Sequence, residues 1–122
     1  MIRPCLALAL WLALACGSST APADSSLRVS AKDSAVQLTN DSERPVFYFV
    51  YERGAAAGIN WAACIDATCP SVAPGSRAAV PYSAIGGYGP GKREAIVWWW
   101  EAVAGPDGEP VAGAIHAAVV GL

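Results

Sequence analysis

The chain has 122 residues, is 54% hydrophobic and 15% charged, and carries a formal net charge of −2. That length suits one domain with a modest core. A mildly acidic chain without a Lys/Arg cluster lacks the electrostatic footprint of a nucleic-acid binder, and it lacks the basic patch that would hold it to anionic lipid.

Residues 1–15 have the layout of a secretory signal peptide. Arg3 supplies positive charge, and an uncharged apolar run from Cys5 to Leu14 follows. That run is short of the ~20 residues a membrane-spanning helix needs. Ala13, Leu14 and Ala15 form a small-residue cleavage pattern, and Cys16 comes next. The run Leu12, Ala13, Leu14, Ala15, Cys16 resembles the lipobox of bacterial lipoproteins, with Ala13 where Leu is commonest. The resemblance implies cleavage before Cys16 and acylation of its thiol (diacylglycerol, with palmitate-type chains). It also implies lipid anchoring in the cell envelope. Gly17, rather than Asp, after the cysteine implies the outer membrane where a host has two. Ordinary signal-peptidase cleavage, leaving Cys16 a free thiol, is the alternative. Loss of residues 1–15 removes Arg3 and no acid, so the mature charge becomes −3. Residues 16–26 then comprise the modified cysteine and a small, polar, flexible tether. The folded domain is expected over residues 27–122.

Within the domain, Leu27 to Ser30 and Ala35 to Thr39 alternate apolar and polar, which predicts two half-buried strands with Val36 and Leu38 inward. Asn40 to Pro45 is a polar turn. Val46 to Glu52 is a strand of β-branched and aromatic residues. Arg53 to Gly58 breaks the pattern, and a short apolar patch from Ile59 to Ile65 includes Trp61. Cys64 and Cys69 form an even pair in an exported chain, which reads as a disulfide. Half of a zinc site is the alternative, and it lacks further ligands apart from the sole histidine, His116.

Ser76 to Val80 predicts a short strand stopped by Pro81. Gly86 to Gly91 is too rich in Gly and Pro for regular structure. Glu94 to Val103 is the densest apolar run and predicts the central strand, paired with Val46 to Glu52. Placing Glu101 outside puts Ile96, Trp98, Trp100 and Ala102 in the core. The same rule puts Phe47, Phe49 and Tyr51 in the core and leaves Tyr48 and Trp99 on an outer face. Gly105, Pro106, Asp107 and Gly108 predict a hairpin turn. Val111 to Val120, rich in Ala and Gly, predicts a last strand at an edge.

About seven strands without a helix predict an all-β fold, an antiparallel β-sandwich; a small β-barrel is the alternative. The segment from Val36 to Phe49 is similar to a strand–turn–strand of immunoglobulin-like domains in bacterial envelope proteins, which implies an immunoglobulin-like sandwich.

No catalytic constellation stands out. His116 has no acid beside it in sequence, and Glu94 and Glu101 lie about 23 Å apart along a strand. The chain is therefore expected not to be an enzyme, and to need no cofactor and no metal. Tyr48, Tyr88 and Trp99 are the candidate contact residues, for a protein or glycan partner in the envelope. Trp99 packed against Tyr48, and Tyr88 bracing a corner, are the competing readings. The expected role is binding or structural support in the envelope, and the alternative is inhibition of proteases through the loops at 53–60 and 86–91.

Overall fold

The computed structural model describes residues 26–122; the expected signal peptide, Cys16 and most of the expected tether lie outside the described residues. Two antiparallel sheets pack face to face and do not close into a barrel. The smaller sheet contains β1 (Leu27–Lys32), β2 (Ala35–Asn40) and, after an intervening segment, β5 (Arg77–Pro81), in the order β1-β2-β5. The larger sheet contains β3 (Val46–Glu52), β4 (Ser71–Val72), β6 (Glu94–Trp100) and β9 (His116–Gly121), in the order β4-β3-β6-β9. β7 (Ala102–Ala104) and β8 (Pro110–Ala112) form a small hairpin that continues from β6 and returns to β9.

The predicted central pairing is present. Phe47 lies opposite Trp100, and the register runs through Val50 opposite Val97 to Glu52 opposite Ala95. β9 flanks β6 on the other side and forms one edge, as its composition predicts. Gly108 takes φ +87° in the β7–β8 turn, a conformation that glycine adopts without strain. The tight β1–β2 turn instead places Asp33 and Ser34 at φ 56° and 59°, where glycine or asparagine is usual.

The core lies between the sheets. Val36 and Leu38, both fully buried, meet Val46, Val50, Val72, Ala95, Val97 and Trp99. Asn40 is also fully buried and joins the two sheets. Its amide nitrogen donates to the carbonyls of Val72 at 2.9 Å and Arg44 at 2.8 Å, while its oxygen accepts from Ser42.

The face assignment of the two central strands is the reverse of the expected one. Val46, Tyr48, Val50, Ala95, Val97 and Trp99 face the opposing sheet, and Trp99 is only 4% exposed. Phe47, Phe49, Tyr51, Ile96 and Trp98 lie on the outer face and are half-buried. Both acids used to set the faces are strand-end residues with local partners. Glu52 points inward and caps the next helix. Glu101 sits at a β-bulge: two residues, Trp100 and Glu101, oppose three, residues 113–115, between the pairs Trp99–His116 and Ala102–Ala112. The bulge ends the alternation on which the reading relied.

Two further features bear on function. Residues 53–56 form a single helical turn, α1 (Arg53–Ala56), where no helix was expected. Ile59 to Ile65 forms no strand. It belongs to an excursion between β3 and β4, and that excursion carries Trp61 and the disulfide.

Candidate functional site

The outer face of the large sheet carries a continuous group of aromatic rings. Alternation places Phe49 and Tyr51 of β3 on that face beside Trp98 of β6, and Phe49 stacks on each at 5.7 Å. Trp61 comes over from the excursion. Its ring lies 5.3 Å from Phe49, 4.9 Å from Trp98 and 5.5 Å from Trp100. Trp100 lies beneath this cover, 2% exposed, and its indole Nε1 donates to the Cys64 carbonyl at 3.0 Å. Trp61, Trp98, Phe49 and Tyr51 remain half-buried, so their outer edges face solvent.

The excursion is fixed at its far end. Cys64 and Cys69 form the predicted disulfide, with Cα atoms 5.7 Å apart. Asp66 closes the turn by accepting from the Thr68 amide at 2.9 Å and from the Thr68 hydroxyl at 2.5 Å. The Thr68 hydroxyl and amide hold the Asp66 carboxyl below the usual range. Sulfur atoms of Cys64 and Cys69 lie within 4.8 Å of an Asp66 oxygen, but the disulfide uses both thiols, which leaves Asp66 as the ionised donor of that group. Gly86 meets the flank of Tyr51, where an added Cβ would lie 2.2 Å from the ring.

The aromatic row runs toward a shallow cleft of about 520 Å³ at the end of the sheet, lined by Glu52, Arg53, Gly54, Lys92, Arg93 and Glu94. Arg53 pairs with Glu94 at 3.0 Å, and Lys92 lies 3.8 Å from Glu52. Glu52 is 5% exposed and caps α1, accepting from the Ala55 amide at 2.8 Å. The amides of Gly54 and Ala55, with Lys92 nearby, hold its carboxyl below the usual glutamate range. The cleft thus offers one cation in a pair, a second cation beside a fixed carboxylate, and the exposed Arg93. An aromatic platform beside such a polar cluster can take a ligand that has flat apolar faces and many hydroxyl or charged groups.

Two of the predicted contact residues, Tyr48 and Trp99, come together, but in the core rather than on an outer face. Trp99 is in the core, directly opposite Tyr48 in the β3–β6 ladder, and its Nε1 has no hydrogen-bond partner among the described residues. Tyr48 packs against the same core, and burial raises its phenol pKa. Tyr88 is 41% exposed and stands apart, with its ring 5.7 Å from that of Tyr82. His116 stacks on Trp99 at 5.7 Å. Of the two loops considered for protease recognition, the first begins with α1, which takes its first four residues.

Sequence reasoning missed Phe49, Tyr51 and Trp98 as surface residues because it assigned the wrong faces, and it left Trp61 in a short apolar patch with no partner named. One signal was present: Trp61 is the single large aromatic in a stretch of Gly and Ala, next to a disulfide that can hold it in place. Among the described residues, no helix is long and apolar enough to cross a membrane. No protein-family model, curated protein or solved structure matches the chain.

Proposed function

We propose that this chain is a lipid-anchored binding domain of the cell envelope. It would be held through Cys16 and would take a glycan ligand on its outer aromatic face. One observation carries the reading: the group formed by Phe49, Tyr51, Trp61 and Trp98 is partly exposed, and it leads toward the charged cleft at Arg53 and Glu94. Sugar rings stack on indole and phenol faces through their C–H surfaces, and their hydroxyls or acidic groups would meet Arg53, Lys92, Arg93 and Glu94. The small, polar composition of residues 17–26 supports the same reading, because a domain that searches a polymer matrix from a membrane needs slack.

Co-sedimentation with insoluble envelope polysaccharide tests this reading, with tryptophan fluorescence as a second readout. Trp98→Ala should weaken binding about tenfold, the equivalent of roughly 1.4 kcal/mol, and Arg53→Ala should weaken it in a salt-dependent manner. Arg77→Ala, on the other sheet, should leave it unchanged. Equal binding by the wild type, Trp98→Ala and Arg53→Ala would refute the site. Intact mass of the membrane-extracted protein tests the anchor: the expected product begins at Cys16 and carries acyl chains. A Cys16→Ser variant should lack them.

A further inference from the structure

The sandwich has four lateral edges, formed by β1 and β5 in the small sheet and β4 and β9 in the large one. Exposed edges invite pairing with another chain unless charges, prolines or shortness protect them. Three of these edges are protected. β1 carries exposed Arg28 and Lys32. β5 begins at exposed Arg77 and ends in Pro81. β4 is two residues long and follows Pro70. β9 has none of these devices: it is six residues, His116-Ala-Ala-Val-Val-Gly121, with no proline and no Lys, Arg, Asp or Glu.

The hydrogen-bond parity of β9 follows from its neighbours. Leu122 N donates to the Arg93 carbonyl at 2.8 Å, one step beyond the pair Glu94–Gly121. Residues 116, 118 and 120 therefore direct their main-chain groups at β6, and Ala117, Val119 and Gly121 direct theirs outward. The opposite side of β6 agrees, because Tyr48 N and Glu52 N donate away from it, to Pro70 and Gly86. Side chains follow the same division. Ala118 and Val120 pack on the core, and Val119 on the outer face is 48% exposed.

We infer that β9 pairs antiparallel with β9 of a second copy of this chain, about a two-fold axis at Val119. In that register Val119 faces its own counterpart, and Ala117 faces Gly121 of the second copy. Every outward N–H and C=O of the strand is then used, each facing pair exchanging two hydrogen bonds. The occupant is a second copy because the edge is self-complementary. It carries no Lys, Arg, Asp or Glu, so two copies meet without repulsion between such groups, and Ala117 and Gly121 leave room beside the two valines. A two-fold pairing is also closed, so it stops at the dimer. The large sheets become one eight-stranded sheet, and the two aromatic faces lie on the same side of it. This inference does not depend on the proposed ligand.

One strand pairing is smaller than a standard protein interface, so covalent trapping is the suitable readout. The full-length chain carrying Val119→Cys is oxidised in intact cells and run on a non-reducing gel beside the wild type. Facing Cα atoms in a hydrogen-bonded pair lie about 5.5 Å apart, within disulfide reach. The expected result is a band at twice the monomer mass. Ala117→Cys alone should stay monomeric, because its copies lie about 14 Å apart along the strands. Co-expressed Ala117→Cys and Gly121→Cys chains should cross-link. Ala117→Pro added to Val119→Cys removes an outward donor without touching the β6 ladder, so it should abolish the band while the melting temperature holds. A Val119→Cys chain that stays monomeric, or that links to a protein of different mass, would overturn the inference. Equal dimer from Val119→Cys and Ala117→Cys would also overturn it, as the mark of random collision.

Discussion

The two faces of the large sheet are covered in different ways. The inner face meets a second sheet, and its residues are small or β-branched apart from Trp99, Tyr48 and the strand-end residues Glu52 and His116. The outer face is covered by Trp61 and the irregular excursion that carries it, tied by one disulfide. Regular cover excludes water along the whole strand, and irregular cover leaves ring edges exposed. The first arrangement suits stability. The second keeps rigid aromatic surface available to a ligand at low cost in conformational entropy. Substitutions on the two faces of one strand should therefore fail differently.

The largest expected effect is on the inner face. Trp99→Ala should cost about 3–5 kcal/mol, read from the denaturant midpoint, because it leaves a large cavity between the sheets. Trp99→Phe should cost much less than a usual Trp truncation, because it also removes a buried donor without a hydrogen-bond partner. A Trp99→Ala chain of near wild-type stability would contradict the assignment of the faces.

Next comes the tie of the outer cover. Replacing both Cys64 and Cys69 by Ser should cost about 2 kcal/mol, as expected for a short closed loop. It should also increase quenching of Trp61 and Trp98 by acrylamide, while the sandwich persists. Loss of the whole fold would mean that the excursion is part of the core.

A smaller effect is expected from the cap on α1, and it depends on pH. The Glu52 carboxyl is held below its ordinary range in the folded state. Its contribution is therefore present above the unfolded value and is lost as pH falls through the folded one. The wild type should be more stable than Glu52→Gln at neutral pH, and the difference should shrink as pH drops below the ordinary glutamate range. Parallel curves at all pH values would contradict the cap. The smallest effect is a gain: Ser34→Gly should stabilise by less than about 1 kcal/mol, since Ser34 holds a positive φ that glycine takes freely.

Much of this architecture was legible in the sequence. The strands at Ala35–Asn40, Val46–Glu52 and Arg77–Pro81, the hairpin turn at Gly105 to Gly108, the central pairing and the Cys64–Cys69 disulfide all follow from alternation, turn residues and cysteine number. The faces did not follow. A strand covered on both sides has no polar face to mark it, so Trp98, Trp99 and Trp100 carry no directional signal of their own. The acids consulted instead, Glu52 and Glu101, are a helix cap and a bulge residue, and both owe their positions to local partners. The helical turn at Arg53–Ala56 is too short to show a period. The aromatic group was illegible because Trp61 joins it across the chain, through an irregular loop tied by the disulfide and the Trp100–Cys64 hydrogen bond.

The most direct test of the division between the faces is polysaccharide co-sedimentation of Trp98→Ala, carried out where its denaturant midpoint shows it fully folded. The account predicts a folded protein that has lost most of its binding. A folded Trp98→Ala chain that binds as the wild type does would contradict it, and would return the outer aromatic rings to a purely structural role.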